Sequence, residues 1–348
     1  MKYAGKVVSR GFFGTQGKAS LILDRVGANF SWRSSLAGLE ASLRIEKSPM
    51  RYEVAALALV MLLQIILVLR QGASGLRGSA TMTTERRWLV AIPCVNTNAR
   101  RMKRLVRNLC GIKYPDRRDV TVSFLADSAS MSMIERKALE DCGFSVEAYL
   151  EKLDGPRQSK DAAERHSLGG QMERRKMIAA ARNQLLDKGL RKQHDFVVWM
   201  DSDLMEIGPR TLRLLLDSGA DVAVPRCANA DGKGAYDLNS FKETVESLAV
   251  LRAMKNEEPI FEGYRDIGRL HMDDLSDLGK AQDFKVPLDG IGGTVIFTKA
   301  LIYSGQNGVR FPTELVNRHY IETEGFAQWA LNEGYTVVGL PNLIATHA

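Results

Sequence analysis

From Trp88 onward, apolar residues form short solid runs that alternate with stretches of helical spacing. Trp88–Ile92 predicts a buried strand ending at Pro93, and Asn96–Gly111 a helix closed by Gly111. Val120–Ala126 predicts a second strand, Ser130–Cys142 a helix stopped by Gly143, and Phe144–Leu150 a third strand. After a polar, irregular stretch, Gln171–Lys188 has the length of a long helix ending at Gly189. Strands follow at Phe196–Met200, Asp221–Pro225 and Thr294–Phe297, with helices at Gly208–Asp217 and Gly325–Asn332. Solid apolar strands alternating with helices predict an α/β fold around a mostly parallel, Rossmann-like sheet buried on both faces. In such sheets ligands bind beyond the carboxyl ends of the strands.

The pattern before Trp88 is different. Val54–Leu69 is apolar except for Gln64 and is bracketed by Arg51 and Arg70. Sixteen helical residues span about 24 Å, short of the ~30 Å of an average hydrocarbon core but within reach of a thin membrane with snorkelling flanks. Apolar on every face and followed by a Gly/Ser/Arg-rich stretch, it is expected to be a single membrane anchor, with a buried core helix as the alternative. The expected layout is a basic tail over 1–53, the anchor over 54–69, a stalk over 70–87 and one catalytic domain over 88–348.

Charge sharpens this layout. The chain of 348 residues has a net charge of +7. Residues 1–53 hold nine Lys/Arg against four acids, so the tail carries +5 and the remaining 295 residues only +2. A nearly neutral body without a nucleic-acid motif excludes a nucleic-acid partner. Cations flank the apolar run almost evenly, so charge does not orient it. A basic, acid-poor tail also suits a mitochondrial presequence. The four cysteines lack metal-ligand spacing and are expected to be free or merely packed thiols.

Candidate chemistry begins where FVVWM runs into Asp201-Ser202-Asp203. Two carboxylates at a strand's carboxyl end offer the hard oxygens that Mg²⁺ or Mn²⁺ shares with phosphate and water. A bare DxD is a weak motif; this one is the only one in the chain and falls where the topology expects a ligand. Asp289-Gly-Ile-Gly-Gly293 is the second candidate, because glycines let backbone approach a ligand closely.

An ordered series of motifs resembles the fungal mannan polymerase subunits, glycosyltransferase family 62: IPCVN (92–96), SFLADS (123–128), MIAAARN (177–183), VVWMDSD (197–203), YDLNSF (236–241), VPLDGIGGTVIF (286–297), IETEGFAQWA (321–330) and GLPN (339–342) before His347. The resemblance covers about three quarters of the chain and leaves out the tail and the loop between Asn256 and Gln282. It implies a Golgi type II membrane protein of GT-A fold that transfers mannose with retention from GDP-mannose, with Mn²⁺ or Mg²⁺, to an α-mannoside glycan, with related mannosyltransferase subunits as partners. It implies His347 as third metal ligand beside Asp201 and Asp203, and Pro93, Asp127, Arg182, Asn183 and Asp201 as nucleotide contacts. Asp289 and Glu324 are the candidates if a carboxylate takes part in the displacement. The alternatives are a partner-dependent or non-catalytic subunit, a transferase using another nucleotide sugar, and a soluble nucleotidyltransferase. The one N-glycosylation sequon, Asn29-Phe-Ser31, lies in the tail and stays unmodified if the tail is cytosolic.

Overall fold

A computed structural model describes residues 85–94, 97–115, 117–151, 168–254, 257–261, 265–276, 281–305 and 307–347, all within one unit of the chain, Met82–Ala348. The tail and the apolar run Val54–Leu69 lie outside the described residues. Among the described residues no helix is long and apolar enough to cross a membrane.

The first strand, β1 (Arg86–Cys94), shows why the sheet is central. Successive side chains point to opposite faces: Trp88, Val90, Ile92 and Cys94 enter one hydrophobic core, Leu89 and Ala91 the other. The same alternation runs through β4 (Phe196–Met200), where Phe196, Val198 and Met200 face the first core and Val197 and Trp199 the second. A strand apolar at every position has no face for water and must be covered on both. The nine strands are, besides these two, β2 (Arg117–Ala126), β3 (Ser145–Leu150), β5 (Leu204–Ile207), β6 (Val222–Ala228), β9 (Val286–Pro287), β10 (Val295–Lys299) and β11 (Val337–His347). Their order is β3-β2-β1-β4-β10-β6-β11-β5, with β9 also against β11. Six strands run one way, while β10, β9 and β5 run against their neighbours. The expected α/β sheet is therefore mixed, with an antiparallel strand at its centre.

One face is covered by α1 (Ala99–Gly111), α2 (Ser128–Met131), α3 (Arg136–Asp141) and α5 (Thr211–Asp217), and the other by α4 (Leu168–Gly189) and α8 (Glu322–Asn332). Asn98 caps α1, its side chain accepting from Arg101 N at 3.0 Å. The helix expected over Ser130–Cys142 is instead two short ones: a turn at Ser132–Met133 separates α2 from α3, and Ile134 and Ala138 still reach the core.

A small ribbon stands apart from the sheet. In it β7 (Phe241–Lys242) pairs with β8 (Leu270–His271), flanked by α6 (Val245–Ala253) and α7 (Met272–Leu275). Its core is polar as well as apolar. Buried Arg269 pairs with Glu243 at 2.8 Å and stacks on Phe241, and Tyr320 donates to the same carboxylate at 2.7 Å.

The cysteines require a correction. Cys110, at the end of α1, and Cys142, after α3, form a disulfide that closes a 32-residue separation. Linear spacing carries no sign of it; the pair meets because α1 and α3 pack side by side. Cys94 and Cys227 are the packed thiols expected, burial pushing each up to about 12. Cys110→Ser is expected to cost about 3–4 kcal/mol on the chain-entropy account of a loop this size. Chemical unfolding of oxidised wild type against the variant measures it, and an unchanged midpoint would contradict it.

Candidate functional site

The parallel strands β1, β2, β4 and β11 end at one edge of the sheet, and the antiparallel strands β5 and β10 begin there. That edge gathers residues from the whole described chain. At the end of β4, Asp201 N donates to Thr294 O at 3.1 Å and Leu204 N to Asp201 O at 3.3 Å, so Asp201-Ser202-Asp203 is the tight turn that reverses β4 into β5. β5 then pairs with β11, whose register sets His347 opposite Leu204. The imidazole thus lands on the turn: His347 Nε2 lies 2.9 Å from Asp203 Oδ1 and 4.0 Å from Asp201 Oδ2. One ligand atom from each of Asp201, Asp203 and His347 falls within 4.8 Å of the others. Tyr236 stacks on the imidazole, ring centroids 3.9 Å apart, and holds its plane.

The two aspartates differ electrostatically. Burial pushes Asp201 up to about 6, partly opposed by the Arg182 guanidinium. Burial also acts on Asp203, but the hydrogen bond and charge of His347, with Arg101 at 3.9 Å, outweigh it and hold that carboxyl below the usual range. Burial and the aspartates push the Tyr236 phenol up to about 12, so it remains an O–H donor.

Beside the triad opens a cleft of about 430 Å³ whose walls include Pro93, Arg101, Arg174, Arg175, Arg182 and Tyr236. Arg182, from α4, is buried and spans the floor: Nη1 meets Glu322 Oε1, while Nη2 reaches Asp201 Oδ1 at 3.3 Å and Gly293 O at 3.2 Å. Arg175, two turns earlier on the same face of α4, pairs with Glu324 at 3.0 Å and Asn239 at 3.0 Å and lies over the Phe261 ring. Cationic side chains around a site with three metal-type ligands suit an anion such as a diphosphate.

The sequence candidates separate into two groups. Pro93, Arg182, Asp201, Asp203 and His347 meet at the cleft. Asp127, Asn183, Asp289 and Glu324 do not line it. Asp127 caps α2, accepting from Ser130 N at 2.7 Å. Both ends of the Asn183 amide are spent on the Phe311 backbone, at 2.7 and 2.9 Å. Asp289 accepts from Glu243 N at 2.8 Å and pairs with Lys242 at 2.9 Å. Glu324 is wholly buried against Arg175.

The glycines of the Asp289–Gly293 loop make room for side chains of the protein itself. A Cβ on Gly290 would meet the Phe241 ring at 2.5 Å, on Gly292 the Asp237 carboxylate at 2.2 Å, and on Gly293 the Arg182 guanidinium at 2.6 Å. Of the two carboxylates that flank Thr323 in the IETEGFAQWA run, Glu322 and not the chosen Glu324 lines the cleft, together with Tyr236 and Asp237, which the residue pattern did not single out. The YDLNSF run held these last two.

Comparison with known proteins adds a family. A model of the Anp1 family matches residues 76–314. The chain is 34% identical over 196 residues to the mannan polymerase II complex anp1 subunit of Schizosaccharomyces pombe, a match that takes in 54% of this chain and 45% of that protein. It is 30% identical over 256 residues to the mannan polymerase complex subunit mnn9 of the same yeast, 69% of this chain and 75% of that one. The chain thus spans less than half of the first relative and three quarters of the second. Among solved structures, the mannosyltransferase PcManGT of Pyrobaculum calidifontis, in complex with GDP-Man and Mn²⁺, is a distant likeness: TM-score 0.40 and 16% identity, over 84% of this chain and 67% of that one.

Proposed function

Because the chain belongs to the Anp1 family, we propose that it is a metal-dependent GT-A glycosyltransferase that moves mannose with retention from GDP-mannose to an α-mannoside glycan. The observation that carries this reading is the convergence of Asp201, Asp203 and His347 beside an arginine-lined cleft. Two carboxylates and an imidazole fit Mn²⁺ or Mg²⁺. A dication held by these three residues would supply Lewis acidity for the charge that develops on a departing nucleoside diphosphate. The chain's own residues do the rest. Arg101 and Arg174 supply positive charge at the cleft wall for the diphosphate, and Pro93 at the end of β1 offers a surface for the nucleoside. Asp237 and Glu322 are the carboxylates, besides the metal pair, that reach the cleft where acceptor and sugar would meet. With Asp289 and Glu324 engaged by Lys242 and Arg175, either would have to exchange its partner to take part in the displacement.

The family's complex-forming members support a working state in association with related subunits. The disulfide suits an oxidising compartment, which supports a Golgi lumenal domain anchored through Val54–Leu69 in type II orientation. The test uses the purified full chain in detergent with Mn²⁺, a short α-mannoside and a panel of GDP and UDP sugars. Mannosylated product and GDP release from GDP-mannose alone are expected. GDP binding without product would select the partner-dependent subunit, turnover of only another sugar would change the donor, and absence of nucleotide binding would sink the enzyme reading.

Asp201 adds a pH dependence. Its folded value of about 6 lies above the ordinary 3.8, so the metal-free chain loses stability from this group as pH rises from about 4 to about 6. The same proton competes with a cation. Because the His347 imidazole must also give up its proton to act as a ligand, dication affinity is expected to fall by at least about tenfold per pH unit below about pH 6. A Mn²⁺ titration across pH 4.5–7.5 measures this, and a flat profile would contradict it.

A further inference from the structure

We propose that Glu322 is a positioning residue for the dication site, acting through Arg182 on the carboxylate of Asp201; this rests on the metal reading above. Glu322 is the first residue of α8, yet its φ is +57°, in the left-handed region that non-glycine residues seldom adopt. Its N–H donates to Pro312 O at 3.1 Å, which anchors that turn. Thr323 Oγ1 donates to its Oε2 at 3.1 Å, and Oε1 takes Nη1 of Arg182. A glycine would accept this backbone without strain but would bring no carboxylate. The position keeps an unfavourable conformation and with it a buried charge aimed at the cleft floor.

What the charge does follows from the geometry of the guanidinium. Arginine beside a carboxylate prefers a two-pronged contact, both nitrogens on both oxygens. Arg182 is denied that contact with Asp201. Its Nη1 is held by Glu322, its Nε has no hydrogen-bond partner, and only Nη2 reaches Asp201, at Oδ1. The Phe311 ring under the guanidinium and the Gly293 carbonyl fix its plane. Asp201 Oδ2 is thereby left facing His347 and Asp203, where the three ligand atoms gather. Without the Glu322 charge, Asp201 is the carboxylate left to Arg182. The fork then closes on both of its oxygens and withdraws Oδ2 from the cation.

The experiment is a Mn²⁺ titration of the full chain in detergent, without nucleotide, followed by the electron paramagnetic resonance of the free ion. Glu322→Gln, nearly the same shape without the charge, is expected to bind Mn²⁺ at least about tenfold more weakly, the size seen when a partner of a metal ligand is lost. Because the effect passes through Arg182, Glu322→Gln is expected to add nothing further in an Arg182→Met background. Wild-type affinity in Glu322→Gln would overturn the assignment. So would an equal weakening that persists when Arg182 is methionine, which would give Glu322 a separate, structural role. A wild-type chain that binds no Mn²⁺ would instead overturn the metal reading itself, and this assignment with it.

Discussion

Asp203→Ala is expected to abolish saturable Mn²⁺ binding and to cut mannosyl transfer by at least about 100-fold. Asp203 is the hinge of the ligand group. It holds His347 Nε2 at 2.9 Å, faces Arg101 at 3.9 Å, and is kept below the usual carboxylate range, so it is ionised at any working pH. Removing it takes away one ligand and frees the imidazole that it orients. The substitution touches none of the core strands, since the turn is held by the backbone bonds of Asp201 and Leu204. Parallel measurement of thermal midpoint, Mn²⁺ affinity and product formation gives the answer. Transfer that survives Asp203→Ala would reduce the group to an ion-pair network and leave catalysis without a metal.

Arg175→Met is expected to lower the thermal midpoint by about 10 °C, corresponding to about 3–5 kcal/mol for breaking one side of a buried ion pair. The side chains of Arg175 and Glu324 are 9% and 0% exposed, and the variant leaves the carboxylate without its cation. Methionine fills the volume, so the loss reports charge rather than a cavity. The double variant Arg175→Met with Glu324→Gln is expected to recover most of the stability, because no uncompensated charge remains. A shift below about 2 °C for the single variant would show that water or another cation reaches Glu324. Calorimetric scans of the three proteins under the same conditions decide it.

How far the sequence reached depended on the kind of signal. β1 and β4 were legible because an uninterrupted apolar strand has one solution, burial on both faces, and the DxD at the end of β4 then had only one edge of the sheet to occupy. The single helix drawn over Ser130–Cys142 failed at Ser132–Met133, a break too short to disturb the apolar spacing around it. Two-residue strands such as Phe241–Lys242 and Leu270–His271 exist only because they pair, and no local pattern marks them. Arg175 finds Glu324 from 149 residues away and Arg182 finds Glu322 from 140, so neither partner can be read from spacing. The loop at Asp289–Gly293 shows the same limit. Its glycines signal a close approach but not whose atoms approach.

The central antiparallel strand has a consequence for biosynthesis. β4 is completed at Met200, yet the strand that covers its open edge, β10, begins at Val295. At a translation rate of ~5–20 residues per second, the nascent chain carries an uncovered FVVWM edge for roughly 5–20 s. An apolar edge of that kind recruits other strands, so chaperone cover during that interval is the natural requirement. A chain halted before Lys299 would be an aggregation hazard rather than a smaller version of the domain. The ligand group is later still: Asp201 and Asp203 are made well before β11, so the ability to hold a cation waits until the strand that carries His347 has been synthesised.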